Sequence, residues 1–181
     1  AWDVAHGIER PEGLPMGAIV SVEEQDGKLT AQGHDTIQAA IDAAGAGATI
    51  YLGAGTYVEE LTINKALSFV GLSGGDDVVL SPLAGTAVDI AGDINGGITF
   101  EGIDLVNDDG SAARGISIDD ESIVGLQEFV FEDGAIQGFG DYGIFVSDGY
   151  EEAGAPAIVD VLTLRNVEMS GNGSADNPDA K

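Results

Sequence analysis

Ile98-Thr99-Phe100-Glu101-Gly102-Ile103-Asp104-Leu105 occurs twice more in altered form. The second copy is Phe129-Val130-Phe131-Glu132-Asp133-Gly134-Ala135-Ile136 and the third is Leu162-Thr163-Leu164-Arg165-Asn166-Val167-Glu168-Met169, at steps of 31 and 33 residues. A second set lies between them: Val88-Asp89-Ile90, Ile116-Ser117-Ile118 and Ile144-Phe145-Val146, at steps of 28 and 28. Each copy alternates apolar and polar residues, the period of a half-buried strand. Two strand patterns recurring in step, once per repeat, are the mark of stacked repeats that bury one continuous core. The expected fold class is all-β: a right-handed parallel β-helix, or solenoid, with a short N-terminal capping helix.

The register states which side chains share a column. Parallel repeats stack about 4.8 Å apart, so equivalent positions line up. Inward columns are Val88/Ile116/Ile144, Ile90/Ile118/Val146, Ile98/Phe129/Leu162 and Phe100/Phe131/Leu164, with Leu105/Ile136/Met169 continuing the core. Every member is apolar, and a slip of one residue would turn them all outward. Outward columns carry the chemistry. Glu101/Glu132/Arg165 sets Arg165 beside a carboxylate as a surface ion pair of small worth. Asp133 and Asn166 follow Gly102 at a turn. Thr86/Arg114/Tyr142 sets Arg114 against Tyr142, a cation–π arrangement.

Composition bounds the rest. The chain has 181 residues, enough for one domain with a real core. It has 28 Gly, 5 Pro and 44% hydrophobic residues, which suits many tight turns between short strands. With no Cys, disulfides and thiolate metal sites are excluded. No apolar run approaches the ~18 residues that a membrane-spanning helix takes. The start, Ala1-Trp2-Asp3, has no initiator Met and no signal pattern, and reads as a mature or excised chain. With 32 acidic and 6 basic residues, the net charge is −26. Such a surface repels nucleic acid and anionic lipid, and neither is expected as a partner. The acidity reads either as solubility in a salty medium or as recruitment of calcium, which takes carboxylate oxygens.

Three segments are expected: 1–34, without repeat register; 35–173, the repeats with a helix at 35–45; and 174–181, a polar tail. In the first, Gly17 to Ser21 and Lys28 to Ala31 read as short strands around a turn at Asp26-Gly27. For the helix, Asp35 is the expected N-cap, with Gln38 three residues on as in a capping box. Ile37, Ala40, Ile41 and Ala44 form one apolar stripe, and Gly45 stands where a C′ glycine ends a helix. An end of stacked strands needs such a cover. The stretch 148–156 is an insertion between repeats, where a binding site is most economically built.

Thr36-Ile37-Gln38-Ala39-Ala40-Ile41-Asp42-Ala43-Ala44, Ala48-Thr49-Ile50-Tyr51-Leu52-Gly53-Ala54-Gly55-Thr56-Tyr57-Val58-Glu59-Glu60-Leu61-Thr62-Ile63-Asn64-Lys65 and Leu67-Ser68-Phe69-Val70-Gly71 together resemble the opening of right-handed parallel β-helix proteins. Pectin methylesterases, pectate-lyase-like enzymes and mannuronan epimerases share this opening. The resemblance covers about residues 35–71. It implies an extracellular or cell-surface protein that acts on or binds an acidic polysaccharide, with calcium as the implied cofactor.

Lyases and epimerases of that kind neutralise a substrate carboxylate and remove the C5 proton. Arg114, Tyr142 and Asp141 are the best local group for that chemistry, and a structural stacking pair is the alternative reading. Asp108, Asp109, Asp119, Asp120 and Asp148 are the candidate metal ligands. Asp120 and Asp148 share a column with Gly92, where close carboxylates raise a pKa, splay apart or hold a cation; solvated turn aspartates are the alternative. The Gly-Tyr-Gln-Asp-Thr-Leu and Val-Asp-Phe-Ile-Phe-Gly stretches of pectin methylesterases are absent. So is the Asp-Pro-His of mannuronan epimerases, although Val167-Glu168-Met169-Ser170-Gly171-Asn172-Gly173 resembles its approach. The other expectation is a non-catalytic structural or adhesin-type segment of a larger secreted or surface protein, with further domains of the same polypeptide as partners.

Overall fold

The computed structural model describes residues 19–25, 28–72, 77–108, 111–118, 123–147 and 159–173. Strands β1 (Ile19–Gln25) and β2 (Lys28–His34) precede helix α1 (Ile37–Ala43). Then come β3 (Thr49–Gly53), β4 (Gly55–Tyr57), β5 (Leu61–Ile63), β6 (Leu67–Leu72), β7 (Val78–Leu80) and β8 (Gly85–Ile90). The chain continues with β9 (Asp93–Glu101), β10 (Asp104–Val106), β11 (Ala112–Ile118), β12 (Val124–Gln137), β13 (Tyr142–Val146) and β14 (Val159–Ser170). The described structure is thus mostly β with one short helix, and its sheets are largely parallel.

The parallel pairings form three stacks. One runs β3, β6, β9, then the first half of β12 and of β14. A second runs β4, β7, β10, then the second half of β12 and of β14. The third runs β5, β8, β11, β13 and is a separate sheet. The register follows the columns read from the sequence. Ile98 pairs with Phe129 and Phe129 with Leu162; Phe100 pairs with Phe131 and Phe131 with Leu164. Val88, Ile116 and Ile144 align, as do Leu105, Ile136 and Met169.

Burial explains why this register holds. Phe69 stacks on Phe100 with ring centroids 4.5 Å apart and planes within 9°, and Phe100 stacks on Phe131 at 5.9 Å. Offset stacking in a dry column adds to the large apolar area each ring removes from water. The next member of that column departs from expectation. Phe131 is fully buried, but Leu164 is 43% exposed; Leu162 and Met169 are 42% and 45% exposed. β14 pairs with β12 alone among the described residues, so its inward side chains have neighbours on one side only.

The bend between the first two stacks recurs at Gly102, Asp133 and Asn166, whose φ angles are 67°, 54° and 51°. Glycine takes that left-handed conformation without cost, and Asp and Asn are the side chains that tolerate it best. The Asn166 amide donates to the Asp133 carboxylate across the two repeats at 2.8 Å. The parallel register sets one of these side chains over the other.

The other end of the stacks is closed. β1 pairs antiparallel with β3, and β2 antiparallel with β1, with Gln25 opposite Lys28. The Asp26-Gly27 turn, Gly17, Trp2 and His6 lie outside the described residues. His34 ends β2, and its Nε2 lies 2.8 Å from Ser21 Oγ. Helix α1 buries Ile37, Ala40 and Ile41, as its apolar stripe predicts. Its N-cap, however, is Thr36 rather than Asp35: the Ala39 N–H donates to Thr36 Oγ1 at 3.0 Å. Gln38 does not reach back to the cap. Its amide takes the Thr62 N–H at 2.9 Å and donates to the Thr62 carbonyl at 3.2 Å, tying the helix to β5. Nor does Gly45 supply a left-handed C′; the positive φ comes two residues later, at Gly47 (φ 86°).

Candidate functional site

Sheet alternation builds one outward cluster of unusual composition. Val88, Ile116 and Ile144 face the core, so Asp89, Ser117 and Phe145 face outward in one column. Arg114 sits at the start of this face, aligned with Thr86 on β8 and Tyr142 on β13 as expected. An irregularity in the β8–β11 register lies beside it, between Ala112 and Arg114.

Arg114 is one of only 6 fixed cations in the chain. Its guanidinium lies over the Phe145 ring, 3.9 Å from the centroid. The expected stack on Tyr142 is therefore corrected: Tyr142 is the register neighbour, but Phe145 takes the cation. The side chain runs along the strand rather than across to the next one: its partners Ser117 and Phe145 are aligned with each other three positions beyond the Arg114–Tyr142 pair. Arg114 Nη1 donates to Ser117 Oγ at 3.1 Å, and Ser117 is only 1% exposed despite its outward position. The guanidinium thus serves as a lid over the hydroxyl. The Tyr142 and Phe145 rings meet at 5.0 Å, tilted by 45°. Asp141, half-buried beside Tyr142, is placed by its backbone N–H, which donates to the Ala113 carbonyl at 2.8 Å.

This cluster joins a cation, a tilted aromatic pair and hydroxyls on a sheet surface. A planar guanidinium presents a fork that matches carboxylate oxygens. Aromatic rings offer a flat apolar surface beside it. The sequence singled out Arg114, Tyr142 and Asp141 and missed Phe145 and Ser117. The signal for Phe145 was available: it is the bulky aromatic at the outward position of Ile144-Phe145-Val146, where its column neighbours are Ser117 and Asp89.

The candidate metal ligands fare differently. Asp109, Asp119, Asp120 and Asp148 lie outside the described residues, as does the 148–156 insertion, of which no residue is described. Asp108 is exposed at a turn. No group of three or more His, Asp or Glu side chains among the described residues is arranged to hold a metal ion.

Elsewhere, Asp104 on β10 accepts the Ala135 N–H at 2.8 Å. Burial pushes its carboxyl above the ordinary range; that hydrogen bond pulls it down, and the like charges of Asp77 and Glu168 push it further up. Tyr57 is likewise pushed up by burial and then by Glu59, while its hydroxyl donates to the Gly53 carbonyl at 2.6 Å. Arg165 donates to Glu132 at 2.6 Å, the expected surface ion pair, with the Arg165 side chain 69% exposed. No helix among the described residues is long and apolar enough to cross a membrane. In comparison with known proteins, no family model, no curated protein and no solved structure matches the chain.

Proposed function

We propose that this chain is a right-handed parallel β-helix module that binds an acidic polysaccharide on the outer face formed by β8, β11 and β13. The fold part rests on the three parallel stacks and their shared register, with one closing helix at the N-terminal end. The binding part rests on one observation: the Arg114 guanidinium lies over the Phe145 ring, which meets Tyr142, on the face of a sheet.

A uronate carboxylate meets the edge of the guanidinium, which the ring and Ser117 hold in one orientation. That pre-organisation lowers the side-chain entropy lost on binding. The C–H face of the sugar packs on the Tyr142 ring. The reading is of binding, because what sets this face apart is a guanidinium held over an aromatic ring and bonded to a hydroxyl. The net charge of −26 opposes a polyanion at long range, so affinity rises as salt screens that repulsion.

Affinity electrophoresis through gels containing polygalacturonate, alginate or a neutral glucan, with EDTA present, tests this. The acidic polymers retard the protein and the glucan does not. Arg114→Gln abolishes the retardation, and Phe145→Leu weakens it while circular dichroism stays unchanged. Equal mobility in all gels, or retardation untouched by Arg114→Gln, rules the reading out.

A further inference from the structure

We infer, resting on the polysaccharide reading, that Asp89 selects polymers in which a uronate alternates with a neutral sugar over polymers of contiguous uronates. Asp89 stands in one row with the groups that anchor Arg114. Register aligns Thr62 with Asp89, Asp89 with Ser117, and Ser117 with Phe145, across β5, β8, β11 and β13. The Arg114 guanidinium meets the last two: it donates to Ser117 Oγ at 3.1 Å and lies 3.9 Å from the Phe145 centroid. It therefore covers the β11–β13 end of the row, and the next side chain on the β8 side is a carboxylate.

Alternation fixes where that carboxylate faces. Val88 and Ile90 on either side of Asp89 are fully buried in the core. Asp89 itself is half-buried on the outer face, and Thr62 beyond it is exposed. Ser117, between Asp89 and Phe145, is small and lies under the guanidinium. Within the row, then, no bulky side chain separates Asp89 from a ligand held on Arg114.

The spacing turns this charge into a filter. Neighbouring strands lie about 4.8 Å apart, close to the length of one pyranose in an extended chain. A chain that crosses the strands with one uronate on Arg114 sets its next sugar beside Asp89. If that sugar is a second uronate, two carboxylates meet well inside the screening length of about 8 Å, where like charges are costly. If it is neutral, its hydroxyls donate to the Asp89 carboxylate. An unfavourable charge set against the wrong partner is one of the two ways to build specificity. The net charge of −26 also opposes the denser polyanion, so the local effect of Asp89 is read against a variant that removes the same charge elsewhere.

The test is affinity electrophoresis with EDTA, at equal uronate concentration, in hyaluronan and in polygalacturonate. The first alternates glucuronate with N-acetylglucosamine; the second is contiguous galacturonate. Hyaluronan retards the wild type at about tenfold lower uronate concentration, and the gap narrows as NaCl rises. Asp89→Asn keeps the shape and removes the charge. It closes most of the gap by tightening the hold of polygalacturonate and not of hyaluronan, with circular dichroism unchanged. Glu128→Gln, exposed on the other sheet, makes the same change in net charge and leaves the gap. The inference is overturned, and the polysaccharide reading left standing, by equal retardation of the wild type in both polymers or by a gap that NaCl does not narrow. A gap that survives Asp89→Asn, or that Glu128→Gln closes as well, has the same effect. Retardation by neither polymer removes both.

Discussion

Glu59 and Lys65 hold opposite ends of helix α1. The Glu59 carboxylate accepts the N–H groups of Ile37 and Gln38 at 2.9 and 3.0 Å, at the helix start. The Lys65 ammonium donates to the carbonyls of Ile41 and Ala44 at 3.0 Å each, at its end. A helix this short leaves most of its terminal groups without intrahelical partners. A carboxylate at the N-terminus and an ammonium at the C-terminus also match the helix dipole. Both side chains come from the segment around β5, so the cap is fastened to the first strands it covers.

Removing either clamp loosens the cap. Glu59→Ala lowers stability by about 1–2 kcal/mol, and Lys65→Met by about 1 kcal/mol, since charge-assisted bonds are lost at partly buried ends. Urea unfolding measures the loss. Amide exchange in residues 37–44 accelerates in both variants, while exchange in the β9–β12 strands changes little. Equal acceleration everywhere is the result that would count against a local clamp.

The phenylalanine column separates buried from terminal positions. Phe100→Ala costs about 3–5 kcal/mol because it opens a cavity between two stacked rings. Leu164→Ala, in the same column, costs less than about 1 kcal/mol, because that side chain is already half in water. Urea midpoints compare the two.

The left-handed corner makes a sharp distinction between small residues. Asp133→Gly is close to neutral, since glycine relieves the positive φ while losing the bond to Asn166. Asp133→Ala costs about 1–2 kcal/mol, since alanine has neither the conformational freedom nor the hydrogen bond. Thermal melting ranks wild type and Asp133→Gly together, above Asp133→Ala. The reverse order would remove backbone strain as the reason.

Asp104 gives a pH signature. Burial, Asp77 and Glu168 raise its folded pKa above the unfolded value, outweighing the Ala135 hydrogen bond. Its protonated form is therefore favoured by folding. That contribution is complete below the unfolded value and lost as pH rises through the folded one. Asp104→Asn keeps an acceptor for Ala135 and removes the charge. It melts above the wild type at pH 7, and the difference closes as pH falls to about 4. A difference independent of pH would assign the effect to packing.

The residues themselves show how far the chain was legible. The columns Ile98/Phe129/Leu162, Phe100/Phe131/Leu164 and Arg114/Tyr142 were readable because strand side chains alternate with period two and stacked repeats share one register. The apolar face of α1 was readable from its spacing for the same kind of reason. The cap at Thr36 was not, because adjacent Asp35 and Thr36 are both good caps and the choice depends on where Glu59 meets the helix. The ring under Arg114 was not, because register aligns Cα atoms and leaves a long side chain to choose between Tyr142 and Phe145.

The sequence by itself determined the strand content, the repeat register and the inward and outward faces, since local periodicity and hydrophobicity suffice for these. Only the tertiary structure decided the rest: Glu59 and Lys65 on the helix ends, Phe145 and Ser117 beneath Arg114, and the half-exposed column ends on β14. Each of these depends on which groups meet across 3 to 33 residues of chain and on whether a neighbour covers them. No pattern within a single strand encodes that.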